Sequence, residues 1–289
     1  MSAAVAGCHG SSAAPEYPRD RKLRLNDVQV RGTHNSYHPP LPPLERQLDD
    51  GMRQLELDVF GDPSGRFFVH HTKLDILTSC ADVEQCLALV RQWIDTRRWA
   101  GPLFLLIEDK DPPSPEAAAR MDALDVAVRL ALPGRMLITP DEVLPLAARG
   151  WPTLAAARGR VLAVLIGDMA DAYARGGTSL RGRAMFVYAS SGPLAAVTSR
   201  PDARTAGDEI GAFVRSGLIV RTQADEGPPD EARRSAAVAS GAQIVSTQDE
   251  HMVLPVGTPS RCNPVLVLPQ CTPADIEHVP RSVKARPGG

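Results

Sequence analysis

Short apolar runs recur along this chain with helix-patterned segments between them. Val28–Thr33, Gln54–Phe60, Leu103–Glu108, Arg135–Thr139, Val161–Gly167, Ala184–Ala189, Leu218–Thr222 and Gln243–Thr247 read as strands. Between them, Val83, Leu87, Val90 and Ile94 keep one apolar stripe at helical spacing. Thr139-Pro140-Asp141-Glu142 is a capping box with proline at the first helical position. The alanine-rich stretch from Glu231 to Ser240 stops at Gly241, a helix followed by its terminating glycine. Asp62-Pro63-Ser64-Gly65 is a turn, so Arg66–His70 should return as a short strand after the second. Eight strands alternating with helices predict an α/β fold, a single (β/α)8 barrel that can be irregular, with that extra strand.

The alternation inside the second strand bears on chemistry. Gln54, Glu56 and Asp58 point one way, and Leu55, Leu57 and Val59 the other. Two carboxylates on one face, roughly 7 Å apart by strand geometry, repel each other unless a cation lies between them. No Lys or Arg two residues away neutralises them, and the apolar partners argue against an exposed edge. Oxygen donors of this kind suit calcium or magnesium rather than zinc. In a parallel barrel, functional groups gather at the carboxyl ends of the strands. Here those ends carry His34-Asn35, Glu56 with Asp58, Glu108-Asp109-Lys110, Arg221 followed by Asp225, and Gln248-Asp249.

Composition narrows the setting. With 289 residues, 43% apolar and 23% charged, the chain suits one large soluble domain. A formal net charge of -2 argues against a nucleic-acid partner, and no run is long enough to span a bilayer. Residues 23–280 read as the barrel, 281–289 as a disordered tail, and 1–22 as a flexible tether rich in Ser, Ala and Pro. Within that tether Val5-Ala6-Gly7-Cys8 resembles a bacterial lipoprotein cleavage box with Cys8 as the lipidated residue. Only seven residues precede Cys8, without a basic region or apolar core. Either the true start lies upstream or the match is chance. The other cysteines fall in close pairs, Cys80 with Cys86 and Cys262 with Cys271. They are either local disulfides of an oxidising compartment or buried thiols.

Gly32-Thr33-His34-Asn35-Ser36-Tyr37, Leu55-Glu56-Leu57-Asp58-Val59, Phe68-Val69-His70 and Leu105-Leu106-Ile107-Glu108 together resemble the calcium-dependent phosphoinositide-specific phospholipases C. The bacterial secreted branch is the most similar, through Cys80 and Cys86 before a Trp93-bearing helix and Val220-Arg221-Thr222-Gln223-Ala224-Asp225. Ala239 to Thr247 and Arg261-Cys262-Asn263-Pro264 also fit it. The resemblance runs from Asp27 to about Pro264. It implies calcium, more than magnesium, held by Asn35, Glu56, Asp58 and Glu108. It also implies His34 acting on the attacking inositol 2-hydroxyl and His70 protonating the departing diacylglycerol oxygen. The substrate would be a phospholipid at a membrane surface, and the product an inositol phosphate, often cyclic. His71 adjoins His70, and an extended segment aims only one of them into the site. His70 directly follows the apolar strand, as the family's acid does.

Lys110, Arg221 and Asp225 suit substrate phosphate or ring hydroxyls, although lone basic residues equally form surface ion pairs. Family members often carry Asp-Tyr after the eighth strand; here the chain reads Ser246-Thr247-Gln248-Asp249, without an aromatic to stack on the ring. The rim loop Tyr37 to Leu44, rich in proline, would contact a bilayer or pack as a stiff lid. The expectation is a monomeric, secreted or cell-envelope bacterial phosphodiesterase. A glycerophosphodiester phosphodiesterase or a sphingomyelinase D-like enzyme is the alternative. A barrel that binds lipid without turnover is a further one.

Overall fold

The computed structural model describes residues 17–255, 259–268 and 271–277. The chain begins with β1 (Val28–Thr33), α1 (Leu44–Asp49), β2 (Gln54–Gly61) and the short β3 (Phe67–Val69). It continues through α2 (Val83–Thr96), β4 (Leu103–Asp109) and α3 (Ala117–Ala131). Three single-turn helices follow: α4 (Pro140–Val143), α5 (Leu146–Arg149) and α6 (Leu154–Ala157). Then come β5 (Val161–Ile166), α7 (Ala170–Tyr173), β6 (Phe186–Val187) and β7 (Val197–Ser199). The last elements are α8 (Ala203–Arg215), β8 (Ile219–Gln223), α9 (Glu231–Ala239), β9 (Ile244–Thr247) and β10 (Ser260–Cys262).

Eight strands form the barrel in the order β6-β5-β4-β2-β1-β9-β8-β7, and their pairings are parallel. The ring is nearly closed: at the seam between β6 and β7 the single pair Tyr188 and Val197 bridges the gap. β3 lies antiparallel on β2, the extra strand that the turn at Asp62–Gly65 predicts. β10 runs antiparallel to β1 through Val28–Val30, below the point where Gly32 meets Gln54 of β2.

Register explains the layering. Glu56 pairs with Leu106, and Asp58 with Glu108, so these residues share the inner face. Val28, Val30, Phe104, Leu106, Leu162, Val164, Phe186, Val197, Ile219 and Ile244 join one apolar cluster that fills the barrel. Their neighbours Leu55, Leu57, Leu105 and Ile107 face outward onto Val83, Leu87, Val90 and Ile94 of α2 and Met121, Leu124 and Val128 of α3. The four α2 residues are at most 3% exposed; burying each contributes roughly 1.5–3 kcal/mol. Asp82 starts α2 by accepting from the Gln85 amide at 2.8 Å. At the bottom, Arg53 makes a two-pronged bond to Glu277 at 2.6 and 2.9 Å, with both side chains almost fully buried.

Two features depart from the sequence reading. Arg135–Thr139 is not a barrel strand. β4 and β5 pair directly from Leu103–Val161 to Glu108–Ile166, so no slot is left between them. Leu137 makes only an isolated bridge to Val161, and the run satisfies its apolar character by burying Leu137 and Ile138. The place in the ring goes instead to β7, whose three residues follow the two of β6. The second departure is at the N-terminus, where residues 17–22 of the expected tether pack on the barrel. Tyr17 is buried, with the Arg158 guanidinium 3.7 Å above its ring, and Asp20 bonds Arg158. Cys8 and residues 281–289 lie outside the described residues. Both expected disulfides, Cys80–Cys86 and Cys262–Cys271, are formed.

Candidate active site

β1 and β2 meet where Gly32 pairs with Gln54 at the start of β2, and glycine permits the approach. A Cβ on Gly32 would lie 2.3 Å from the Gln54 Cβ, well inside contact distance. The chain then turns sharply. Asn35 takes a left-handed backbone (φ 51°), which asparagine tolerates better than most residues. Ser36 fastens the turn to β2: its Oγ accepts from the Glu56 amide at 2.7 Å, and its own amide donates to the Glu56 carbonyl at 3.0 Å. Thr33 and Gln47 complete this buried network, with Thr33 Oγ1 donating to Gln47 Oε1 at 2.6 Å. The loop carrying His34 and Asn35 is thereby fixed against the strand carrying Glu56 and Asp58.

Glu56, Asp58 and Glu108 offer ligand oxygens that all lie within 4.8 Å of one another. Glu56 and Asp58 are buried, and Glu108 is partly exposed. Repulsion at such separations is on the order of 3–4 kcal/mol for each pair at an effective dielectric of about 20. Two cations answer it in part. Arg221 donates to Glu56 Oε2 at 2.7 Å, and Lys110 Nζ lies 3.3 Å from Glu108 and 3.9 Å from Asp58. Burial still raises the Glu56 carboxyl above the usual carboxylate range. Burial, then Glu108 and Glu56, push Asp58 up to about 6. Asp58 Oδ1 and Asn35 Oδ1 are buried without a hydrogen-bond partner. A cluster of oxygen donors, short of positive charge and with two orphaned oxygens, fits a calcium ion.

His34 stands between this cluster and a recess beside it. Its Nε2 is 3.5 Å from Glu56 Oε1, and its Nδ1 is 3.3 Å from the Gln248 side-chain amide. Burial, then Arg221, push the imidazole down to about 4, so it is neutral at pH 7 and able to accept a proton. The recess, about 320 Å³, is lined on one side by Pro39, Pro40 and Leu41, and on the other by Asp225, Arg234, Gln248 and Asp249. A larger recess of about 960 Å³ lies outside α9. It touches none of the clustered acids, so size does not mark the site.

The two adjacent imidazoles have different surroundings. The β2–β3 register, Val59 with Val69 and Phe60 with Phe68, extends to set His70 across from Asp58. The His70 ring stacks on Phe60 with centroids 4.4 Å apart, and its Nδ1 bonds the Thr72 carbonyl at 2.8 Å. Beyond β3 the chain bends and brings His71 inward, against the clustered donors. Its Nδ1 is 3.5 Å from Asp58 Oδ2 and 3.2 Å from Asn35 Nδ2, so the histidine that the extended reading turns away from the site lies against its donors.

The structure gives the other expected site residues these partners. Arg221 is only 6% exposed and lies within the barrel, bonding Glu56 and, at 3.0 Å, Ser246; it orients a carboxylate rather than facing the open rim. Asp225 accepts from the Gln248 amide at 2.8 Å and from Thr247 Oγ1, tying the β8 and β9 ends together while lining the recess. Gln54, Ser246 and Arg234 carry parts of the site that the sequence did not assign. Gln54 had a signal, since it alternates with Glu56 and Asp58; its Oε1 accepts from Ser246 at 2.6 Å and its Nε2 donates to the Thr33 carbonyl at 2.9 Å.

The family model described as "Phosphoinositide phospholipase C, Ca2+-dependent" matches residues 66–264, well over half of the chain. The chain belongs to this family. It is accordingly a calcium-dependent phosphodiesterase that cleaves phosphatidylinositol. The matched span includes His70 and Glu108, while His34, Asn35, Glu56 and Asp58 precede it. No curated protein sequence matches the chain. Among solved structures, a calcium-dependent phosphoinositol-specific phospholipase C from a Pseudomonas species is 20% identical. That match covers 86% of this chain and 99% of the other, with a TM-score of 0.69. A calcium-dependent phosphatidylinositol-specific phospholipase C from Streptomyces antibioticus is also 20% identical, covering 79% and 95%, with a TM-score of 0.62. A mutant Staphylococcus aureus phosphatidylinositol-specific phospholipase C is 10% identical over 89% and 94%, with a TM-score of 0.51. These similarities establish the shared barrel.

Proposed function

We propose that this phospholipase C holds its calcium with Asn35, Glu56, Asp58 and Glu108, and works with His34 as base and His70 as acid. The observation carrying this reading is the convergence of three acids and His34 around the orphaned Asp58 and Asn35 oxygens. Bound calcium supplies charge neutralisation at the phosphoryl group and lowers the pKa of the inositol 2-hydroxyl. Neutral His34 takes the 2-hydroxyl proton as that oxygen attacks phosphorus. The bond from phosphorus to the diacylglycerol oxygen breaks, and His70 gives that oxygen a proton. With its Nδ1 held by the Thr72 carbonyl, His70 keeps Nε2 for the transfer. Each imidazole contributes about 10²–10⁴-fold. Arg221 fixes Glu56, and Lys110 offers an ammonium to phosphate oxygens.

The membrane face is the rim. Leu74, Ile76 and Leu77 are 97%, 66% and 61% exposed just after the two histidines, and Pro39 and Pro40 are exposed across from them. His38 Nε2 and Asp75 Oδ2, 2.8 Å apart, link the two loops. These apolar side chains enter the bilayer whose lipids the site cleaves. Serine at Leu74 and Leu77 should lower vesicle sedimentation at least tenfold while sparing turnover of soluble inositol 1,2-cyclic phosphate. The two disulfides fit an extracytoplasmic enzyme. No observation favours the glycerophosphodiester alternative.

The deciding assay is release of inositol phosphate from phosphatidylinositol vesicles with calcium, with magnesium and with chelator. Calcium-dependent release, lost in His34→Ala and Glu56→Gln, is expected. Retained activity in both variants would refute the assignment. His70→Ala should be inactive and His71→Ala active; the reverse result would move the acid to His71.

A further inference from the structure

We propose that the recess outside α9 is a second ligand site, one that takes a single-chain carboxylate amphiphile of the fatty-acid class with its head on Arg261. The inference is independent of the base and ligands assigned above. Among the described residues no α-helix follows β9, and the segment from Asp249 to Pro255 lies where a barrel helix would pack. One face of α9 therefore borders a recess of about 960 Å³. Glu231, Arg234, Ser235 and Val238, spaced i, i+3, i+4 and i+7, line it from the helix. That volume is at the upper end of ligand pockets and has room for an acyl chain.

Charge is separated along this recess. Arg261, on β10, is half-buried in its wall. Its Nε donates to Gln29 Oε1 at 2.8 Å, and one terminal nitrogen donates to the Val238 carbonyl at 2.8 Å, near the end of α9. Both acceptors are neutral, and they use only part of the donor set of a guanidinium. Burial pushes Arg261 below its ordinary range, and among the described residues no carboxylate offsets that cost. The acids of the recess have their own partners and lie toward its other end. Glu231, in the first turn of α9, accepts from Ser235 Oγ at 3.3 Å, and Asp249 is held by Arg234 at 2.8 Å. At 1.5 Å per residue, roughly 10 Å of helix separates Glu231 from Val238. An anionic head is thus repelled at one end and attracted at the other. Between them Val238, Met252, Val253 and Leu254 offer an apolar wall to a chain. The single uncompensated cation sets the class of head. A carboxylate matches it, whereas a phosphate monoester, carrying about -1.5 to -2, would bring surplus charge.

The test titrates dodecanoate, decanoate and 1-decanol into the full chain by calorimetry, with chelator present so that calcium does not precipitate the carboxylates. Dodecanoate should bind once per chain, and decanoate about tenfold more weakly, because two fewer methylenes are buried. Decanol, which has no charge for Arg261, should bind about tenfold more weakly again. Arg261→Met should lower dodecanoate affinity about tenfold or more, and Arg261→Lys, which keeps the charge, by less than about threefold. Val253 is 61% exposed, so Val253→Glu sets a repelling carboxylate on the wall without disturbing the core. It should also lose about tenfold in affinity, and it carries the test should Arg261→Met fail to fold. Its calcium-dependent turnover of soluble inositol 1,2-cyclic phosphate should stay within about twofold of wild type, since the recess touches none of the clustered acids. No saturable binding, or equal affinity for the ten-carbon acid and alcohol, would overturn the proposal. So would an affinity that Arg261→Met and Val253→Glu leave unchanged, or a folded Val253→Glu without turnover.

Discussion

The barrel is built to two standards. Between β2 and β4 the register runs unbroken through six residue pairs, from Gln54–Phe104 to Val59–Asp109. Across the ring, β6 and β7 are two and three residues long and share one isolated bridge. The well-paired side carries Glu56, Asp58 and Glu108; the loose side carries no clustered acid. Oxygen donors from separate strands must be held to a fraction of an ångström to share one ion, and a continuous ladder supplies that. Where no such alignment is needed, short strands and a packed interior close the ring well enough.

Substitutions on the two sides should therefore differ sharply. The largest effect is expected at Asp58→Asn, with a loss of about 10³-fold or more in calcium-dependent turnover of phosphatidylinositol. The melting temperature of the metal-free protein should not fall, because the change removes a carboxylate that burial has pushed up to about 6. Next is Arg221→Met, which leaves Glu56 buried without its partner. A stability loss of about 3–5 kcal/mol is expected in urea or thermal unfolding.

A pH series sharpens the contrast without mutation. Asp58 has a folded pKa above its ordinary value, so the folded metal-free protein binds the extra proton. That contribution is fully present below about pH 4 and is lost as pH rises through about 6, on the order of 3 kcal/mol, while His34, held down to about 4, contributes the opposite slope over nearly the same range and offsets it. Calcium, binding the deprotonated cluster, should add stability that grows with pH, about 3 kcal/mol at a hundredfold excess over its Kd. Melting curves from pH 4 to 7 with calcium or chelator check this; parallel curves would contradict it. The smallest effect belongs to the seam. Tyr188→Phe removes a buried hydroxyl that has no hydrogen-bond partner, and stability should change by less than about 1 kcal/mol with turnover intact.

The same contrast accounts for what the sequence revealed. Glu56 and Asp58 were legible because long strands display a clean period of two, and because charge among leucines is costly unless it has a purpose. β7 was not legible, since three residues carry no period, and Arg135–Thr139 imitated a strand because buried loops also need apolar runs. The role of Arg221 depends on a neighbour 165 positions away in sequence, which no local pattern reports. The inward place of His71 arises from a bend after β3 that follows no alternation. Calcium itself was legible from donor chemistry and from resemblance together.

The way β1 is covered has a consequence for the order of synthesis. One edge of this strand is taken by β9, and the lower half of the other by β10, which the ribosome makes more than 200 residues later. The first strand to emerge is thus among the last to be sealed. A nascent chain can assemble the acids of β2 and β4 early, yet His34 gains its backbone bond to Thr247 only near completion. A chain stopped before β9 would therefore hold the clustered acids of β2 and β4 without the backbone bond that fixes His34.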